Sequence, residues 1–92
     1  MIIEFSPKCQ KLLARIKKKD GSLFYKVEKQ LLLFQTIPDH PSLRFHKLSG
    51  VQASIWSISI DMSNRLLFYY YQVGEEKRAV FFTVGKHEEV YR

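Results

Sequence analysis

The run RLLFYYYQV (Arg65–Val73) limits the fold more than any other stretch of the chain. Leu, Phe and Tyr fill both alternating sets of positions, so a strand here presents apolar side chains to both faces and should be covered on both. Ahead of it, DMSN (Asp61–Asn64) reads as a turn. Before that turn, Trp56, Ile58 and Ile60 alternate with Ser57 and Ser59, the period-two signature of a strand with one buried face. After it, GEEK (Gly74–Lys77) supplies a second turn, and RAVFFTVG (Arg78–Gly85) a third strand with Val80, Phe82 and Val84 on one face. Two successive hairpins make a three-stranded antiparallel meander centred on RLLFYYYQV.

The first half of the chain reads differently. Ile2–Phe5 is short, apolar and bounded by Ser-Pro, which suits an edge strand joining the meander. Ser6-Pro7 is a helix start, since Ser can cap free N–H groups and Pro at the first helical position gives up no hydrogen bond. Cys9, Leu12, Leu13 and Ile16 then share one helical face, with Lys8, Lys11, Arg15 and Lys18 away from it. Gly21 can take the left-handed conformation that ends this helix. Ser22 can cap a second helix with Phe24, Val27, Leu31 and Phe34 as its buried stripe, and Pro38 and Pro41 stop it. The helices are expected at about 6–19 and 22–36, with ends good to roughly two to four residues. The short link between them implies an αα-hairpin. Asp39–Gly50 is too punctuated for a regular element. The resulting class is α+β: an N-terminal edge strand, an αα-hairpin, then the meander, with the helices on one face of the sheet in two layers. The other face is left as a concave, polar working surface.

Ninety-two residues fit one domain, 1–92, without internal repeats or linkers. The single Cys9 forms no internal disulfide, which suits a reducing, cytoplasmic setting. MIIEFSPKCQ lacks the pattern of a signal peptide, and no apolar run reaches membrane-spanning length, so no membrane partner is expected. The net charge of +6 favours a polyanion such as nucleic acid, or an acidic protein that masks the same surface.

Candidate chemistry follows from the cations and histidines. Lys17–Lys19 suits the end of a helix dipole as well as it suits nucleic acid. Arg44, His46 and Lys47 lie within four residues of sequence beside the sheet and can hold an RNA phosphate, although a solvated loop would look the same. His87 follows the last strand, in the tail GKHEEVYR with Lys86, while Arg65 stands on the neighbouring strand. A histidine titrating near neutrality and an arginine that clamps phosphate form a usable pair for cutting RNA. In such a reaction the ribose 2′-OH attacks phosphorus, a base takes its proton, an acid protonates the leaving oxygen and a cation stabilises the phosphorane. His46 is a second acid–base candidate, and Tyr91 could stack on a base. There is no Gly-rich phosphate loop, no zinc-type Cys/His spacing and no sign of a small-molecule cofactor. Cys9, on an apolar helical face, reads as an inert buried thiol.

HPSLRFHKLSG, WSISID, RLLFYYY and FFTVGKHEEVYR together resemble the RelE/ParE superfamily of bacterial toxins, closest to its RelE/YafQ-like mRNA interferase branch. The likeness covers essentially the whole chain. It implies the toxin of a type II toxin–antitoxin system, a metal-independent endoribonuclease that cuts mRNA in the ribosomal A site, causes growth arrest, and is neutralised by a cognate antitoxin. By position, Arg65 matches the family's phosphate-contacting arginine, His87 its C-terminal general acid, Tyr91 the aromatic that follows, and His46 a histidine of the preceding loop. Ile60 stands where the YafQ-like group has a histidine and Asn64 where it has an aspartate, which leaves His46 as the one evident general base. The alternatives are a non-enzymatic ParE-like toxin that poisons DNA gyrase, and a catalytically degenerate relative that only binds antitoxin.

The orientation of Arg65 depends on loop length. A two-residue Met62-Ser63 turn would set Ile60 opposite Arg65 and aim the guanidinium at the core. A longer loop would set Arg65 on the face of Ser57 and Ser59. An unpaired buried guanidinium is too costly, so the helix-free face or its rim is expected.

Overall fold

The structure is a computed structural model that describes residues 1–48 and 54–86. The chain order is β1 (Ile2–Phe5), α1 (Pro7–Lys19), α2 (Gly21–Thr36), a single 3-10 turn (Pro41–Leu43), β2 (His46–Lys47), β3 (Trp56–Ser59), β4 (Asn64–Val73) and β5 (Glu76–Lys86). The five strands form one sheet in the order β1-β5-β4-β3-β2. The β3–β4–β5 meander is antiparallel, as its two turns require. β1, however, pairs parallel with β5, so the sheet is mixed rather than wholly antiparallel. The αα-hairpin lies between β1 and the meander in sequence, and a crossover of that length can return the chain in parallel.

Both helices pack on one face. Ser6 caps α1 by accepting the Cys9 N–H at 3.1 Å, with Pro7 at the first helical position. The junction of the helices differs from expectation. Asp20 ends α1, its N–H donating to the Ile16 carbonyl, and also begins α2, its carboxylate accepting the Leu23 N–H at 3.0 Å. Gly21 is therefore the first residue of α2, without a positive φ, and Ser22 is not the cap. One aspartate serves both ends because its side chain reaches the free N–H groups that a glycine would leave to solvent.

Cys9, Val27, Leu31 and Phe34 meet Ile58, Leu66, Phe68, Ala79 and Phe81 in the core. The Phe34 ring lies 5.1 Å from Phe68 and 5.8 Å, edge-on, from Phe81. Each such ring taken fully from water contributes about 1.5–3 kcal/mol. The expected face of β5 is broken. A register shift opposite Leu67/Phe68 places Phe81 in the core beside Ala79, while the Phe82 ring lies tilted against Tyr69 on the other face at 5.9 Å. Val80 lies with Tyr69, and Val84 returns to the core side opposite Leu66. Val80, Phe82 and Val84 thus do not share a face, because the extra residue of a bulge flips the alternation.

β4 changes character along its length. Arg65 to Phe68 are buried in succession, as a strand covered on both faces requires, whereas Tyr69 and Tyr71 are exposed. The link that follows Asp39 is more ordered than its punctuation suggests. It contains the 3-10 turn, and its His46–Lys47 pair forms the far edge strand against Ser57 and Trp56. Gly74 carries φ +60 in the β4–β5 turn, where an L side chain would be strained.

Candidate nucleic-acid interface

The β3–β4 turn positions the central candidate. The Asp61 carboxylate accepts from Ser63 N (2.9 Å), Asn64 N (2.8 Å) and Asn64 Nδ2 (3.0 Å), closing an Asx-type turn. Burial alone would raise its pKa. The Ser63 and Asn64 N–H groups, the Asn64 amide and the nearby Lys26 ammonium outweigh that and hold it below the ordinary carboxylate value. This loop is longer than two residues, and it pairs Ser59, not Ile60, with Arg65. Arg65 accordingly stands with Ser57 and Ser59 on the face away from the helices.

It is nonetheless only 5% exposed. The cost of burial is met by the turn itself: Nη1 donates to Ser59 Oγ (2.9 Å), the Asp61 carbonyl (2.7 Å) and the Asn64 carbonyl (3.1 Å). Ser59 Oγ–H donates in turn to the Asp61 carbonyl at 2.8 Å. Among the described residues no buried side-chain polar atom lacks a partner. The helix-free face is not open throughout, since Ser57, Ser59 and Leu67 are buried beside Arg65.

The trio Arg44, His46 and Lys47 is contiguous in sequence but diverges in space. His46 pairs with Ser57 and so shares the face of Arg65, at roughly 12 Å between Cα atoms from ordinary strand spacings. Its Nδ1 lies 2.8 Å from the Arg44 carbonyl. A carbonyl only accepts, so the neutral ring carries its proton on Nδ1, which makes Nε2 the basic nitrogen. Lys47 pairs with Trp56 on the other face and lies 6.0 Å from its ring. Lys86 pairs with Asn64, one position beyond the Arg65–Gly85 pair, and the pleat assigns it to the opposite face. His87 and Tyr91 lie outside the described residues.

Arg44 belongs to a different feature. It ends the 3-10 turn with φ 46 and ψ 42, the only non-glycine residue of positive φ among those described. It borders a cleft of about 400 Å³ with Lys26, Lys29, Gln30, Ser42, Ser59 and Asp61. Gln30 forms the floor: it is buried and donates through Nε2 to the Ser59 carbonyl (2.9 Å) and the Ser42 carbonyl (3.3 Å). Lys26 lies 3.8 Å from the Asp61 carboxylate. Sequence reading missed Lys26, Lys29 and Gln30. The available signal was their spacing: the lysines are i, i+3 on one helical face, and Gln30 interrupts the buried series Val27, Leu31, Phe34.

Burial pushes the Cys9 thiol up to about 11, which leaves it protonated and unreactive. Among the described residues no group of His, Cys, Asp and Glu could hold a metal ion, and no helix is long and apolar enough to cross a membrane.

No protein-family model and no curated protein matches the chain by sequence. Solved structures do match it. A YoeB/ParE toxin from Agrobacterium tumefaciens superposes with a TM-score of 0.77 at 17% identity, covering 95% of this chain and 99% of that one. A mutant of YafQ from E. coli gives 0.73 at 16% identity, covering 98% and 97%. YafQ in the E. coli DinJ–YafQ toxin–antitoxin complex gives 0.65 at 21% identity, covering 98% and 96%. The chain has the α+β fold of the YoeB/ParE and YafQ toxins over nearly its whole length, as the sequence resemblance implied.

Proposed function

We propose that this chain, with the fold of the YoeB/ParE and YafQ toxins, is the toxin of a type II toxin–antitoxin pair and inhibits translation by cutting mRNA on the ribosome in the bacterial cytoplasm. The observation that carries this reading is the agreement of fold with proteins named as toxins, one of them solved with its antitoxin. The net charge of +6 supports it, since mRNA and an acidic antitoxin segment both neutralise such a surface. In the proposed reaction Arg65 holds the scissile phosphate through guanidinium donors other than Nη1, which the β3–β4 turn occupies. His46 Nε2 accepts the 2′-OH proton, His87 protonates the leaving 5′-oxygen and Tyr91 stacks on a base, whereas Lys47 and Lys86, on the opposite face of the sheet, are left out of the phosphate contacts at Arg65. None of these steps needs a metal.

One observation favours a second reading. The Arg65 guanidinium is buried and already bonded within its own turn, an arrangement that a purely structural arginine would also show. On that reading the chain binds antitoxin without cutting, or poisons DNA gyrase as a ParE-like toxin. Expression with and without the neighbouring small gene, with mapping of mRNA ends, separates these outcomes. Growth arrest with cuts in translated mRNA supports the nuclease. Arrest with trapped gyrase–DNA cleavage complexes and intact mRNA supports the gyrase toxin. Antitoxin binding without arrest supports the degenerate relative.

A further inference from the structure

We infer that the cleft between α2, the 3-10 turn and the β3–β4 turn is a phosphodiester-binding site, with Arg44 and Lys29 as its ligands and single-stranded RNA as its occupant. It is distinct from the Arg65 face and rests on the RNA-directed part of the proposed function, not on cleavage.

The charge balance comes first. Lys26, Lys29 and Arg44 border the cleft with one carboxylate, Asp61. That carboxylate is already engaged by Ser63, Asn64 and Lys26. Lys29 and Arg44 have no anionic partner among the described residues. What remains is a pair of unneutralised cations over a rigid floor, since Gln30 spends its amide N–H groups on the Ser42 and Ser59 carbonyls. A volume of about 400 Å³ lies within the range of small-ligand sites.

The backbone of Arg44 supplies a second, independent observation. Asn or Gly takes the left-handed region more easily than a long side chain does. Here an arginine occupies it, with its N–H bonded to the Pro41 carbonyl and its own carbonyl accepting from His46. Residues in this region cluster at ligand clamps, and the side chain that this turn carries is a planar, five-donor fork suited to an anion.

RNA fits better than an acidic peptide. Peptide segments that order on binding depend on apolar anchors. Met62 is the only exposed large apolar side chain at the cleft rim among the described residues. Ser59 and Asp61 wall the cleft on one side and bind the Arg65 guanidinium on the other, so one strand could engage both places.

The test uses the full chain and a short single-stranded RNA blocked at every 2′-OH by methylation, so that cleavage plays no part. Binding is followed by fluorescence anisotropy over a series of salt concentrations. Arg44→Asn and Lys29→Gln together should weaken binding severalfold and make the slope of log K against log salt shallower by about 0.7 for each phosphate that is no longer neutralised. Lys18→Gln with Lys19→Gln removes the same charge elsewhere and should change the slope less. Asn suits the left-handed region, so Arg44→Asn should hold or raise the unfolding midpoint while RNA binding falls. A merely structural arginine would not give that pairing. An unchanged slope, or an equal effect from the Lys18/Lys19 control, overturns the inference. Loss of binding to a poly-glutamate peptide, or of a shift with inorganic phosphate, without any change for RNA overturns the assignment to RNA. Cleavage in cells with an unchanged slope defeats this site alone, whereas a changed slope without cleavage leaves the site standing and defeats the nuclease reading.

Discussion

Arg65 and Ser59 face each other across the β3–β4 pair, and Arg65 Nη1 donates to Ser59 Oγ at 2.9 Å on the side of the sheet away from the helices. The interaction reconciles two demands that conflict in the bare sequence. A strand covered on both faces leaves no obvious place for a guanidinium, and burying one without partners is prohibitive. The serines of β3 and the carbonyls of the following turn supply the partners, so the positive charge stays within a strand whose next three residues are apolar.

Arg65→Ala should therefore lower stability by about 2–3 kcal/mol, from broken hydrogen bonds and a polar corner left without its donor. Ser59→Ala should cost about 1 kcal/mol, because two carbonyl acceptors remain. Urea unfolding measures both, and equal effects from the two variants would show that Nη1 is not held as described. Any loss of growth arrest in Arg65→Ala consequently counts in favour of a catalytic role only after the folded fraction is corrected for.

The order of elements and the buried stripes were legible in the sequence because each depends on local periodicity. Cys9 in α1 and Val27, Leu31 and Phe34 in α2 recur at helical spacing, and all are buried. Features decided by one residue were not. Gly21 looked like a terminator, but the carboxylate of Asp20 beside it settled both helix ends. The bulge at Phe82 could not be read from adjacent phenylalanines that suit either face equally. The facing of Arg65 hung on loop length, which Asp61 determines through its turn. The basic cleft was hidden because Lys26 and Lys29 resemble any solvated helix face until the 3-10 turn brings Arg44 against them.

Asp61 makes stability pH-dependent in a defined direction. Its folded pKa is depressed, so its contribution is complete above the ordinary aspartate value of about 3.9 and is lost as pH falls from there through the lower folded value. Asp61→Asn should be less stable than the parent at pH 7, and the gap should narrow on acidification below about pH 4. Thermal unfolding at a series of pH values from neutral to well below that point reads this out. A gap that widens in acid would show that the carboxylate is not stabilised in the fold.

Asp20→Ala should cost about 1 kcal/mol by leaving the Leu23 N–H without its acceptor, whereas Ser22→Ala should cost less than half of that. Asp20→Asn should retain most of the stability, since an amide oxygen also caps. Comparable losses from Asp20→Ala and Ser22→Ala in chemical denaturation would return the cap to Ser22.

The decisive variant for the proposed nuclease is His87→Gln. Its side chain is the proposed proton donor to the leaving 5′-oxygen, and glutamine keeps similar size and polarity but cannot supply that proton. Positioned acids and bases contribute roughly 10²–10⁴-fold, so cleavage of ribosome-bound mRNA should fall by that factor. Binding to the 2′-methylated RNA should change little, because the phosphate ligands lie elsewhere. The unfolding midpoint should also hold, in contrast to Arg65→Ala, whose guanidinium is bonded into the β3–β4 turn. Single-turnover cleavage, anisotropy and thermal unfolding on the parent and these two variants separate chemistry from binding and from folding. If His87→Gln cuts mRNA at the parental rate while fully folded, His87 is a surface histidine. Another group, or water, would then have to protonate the leaving 5′-oxygen.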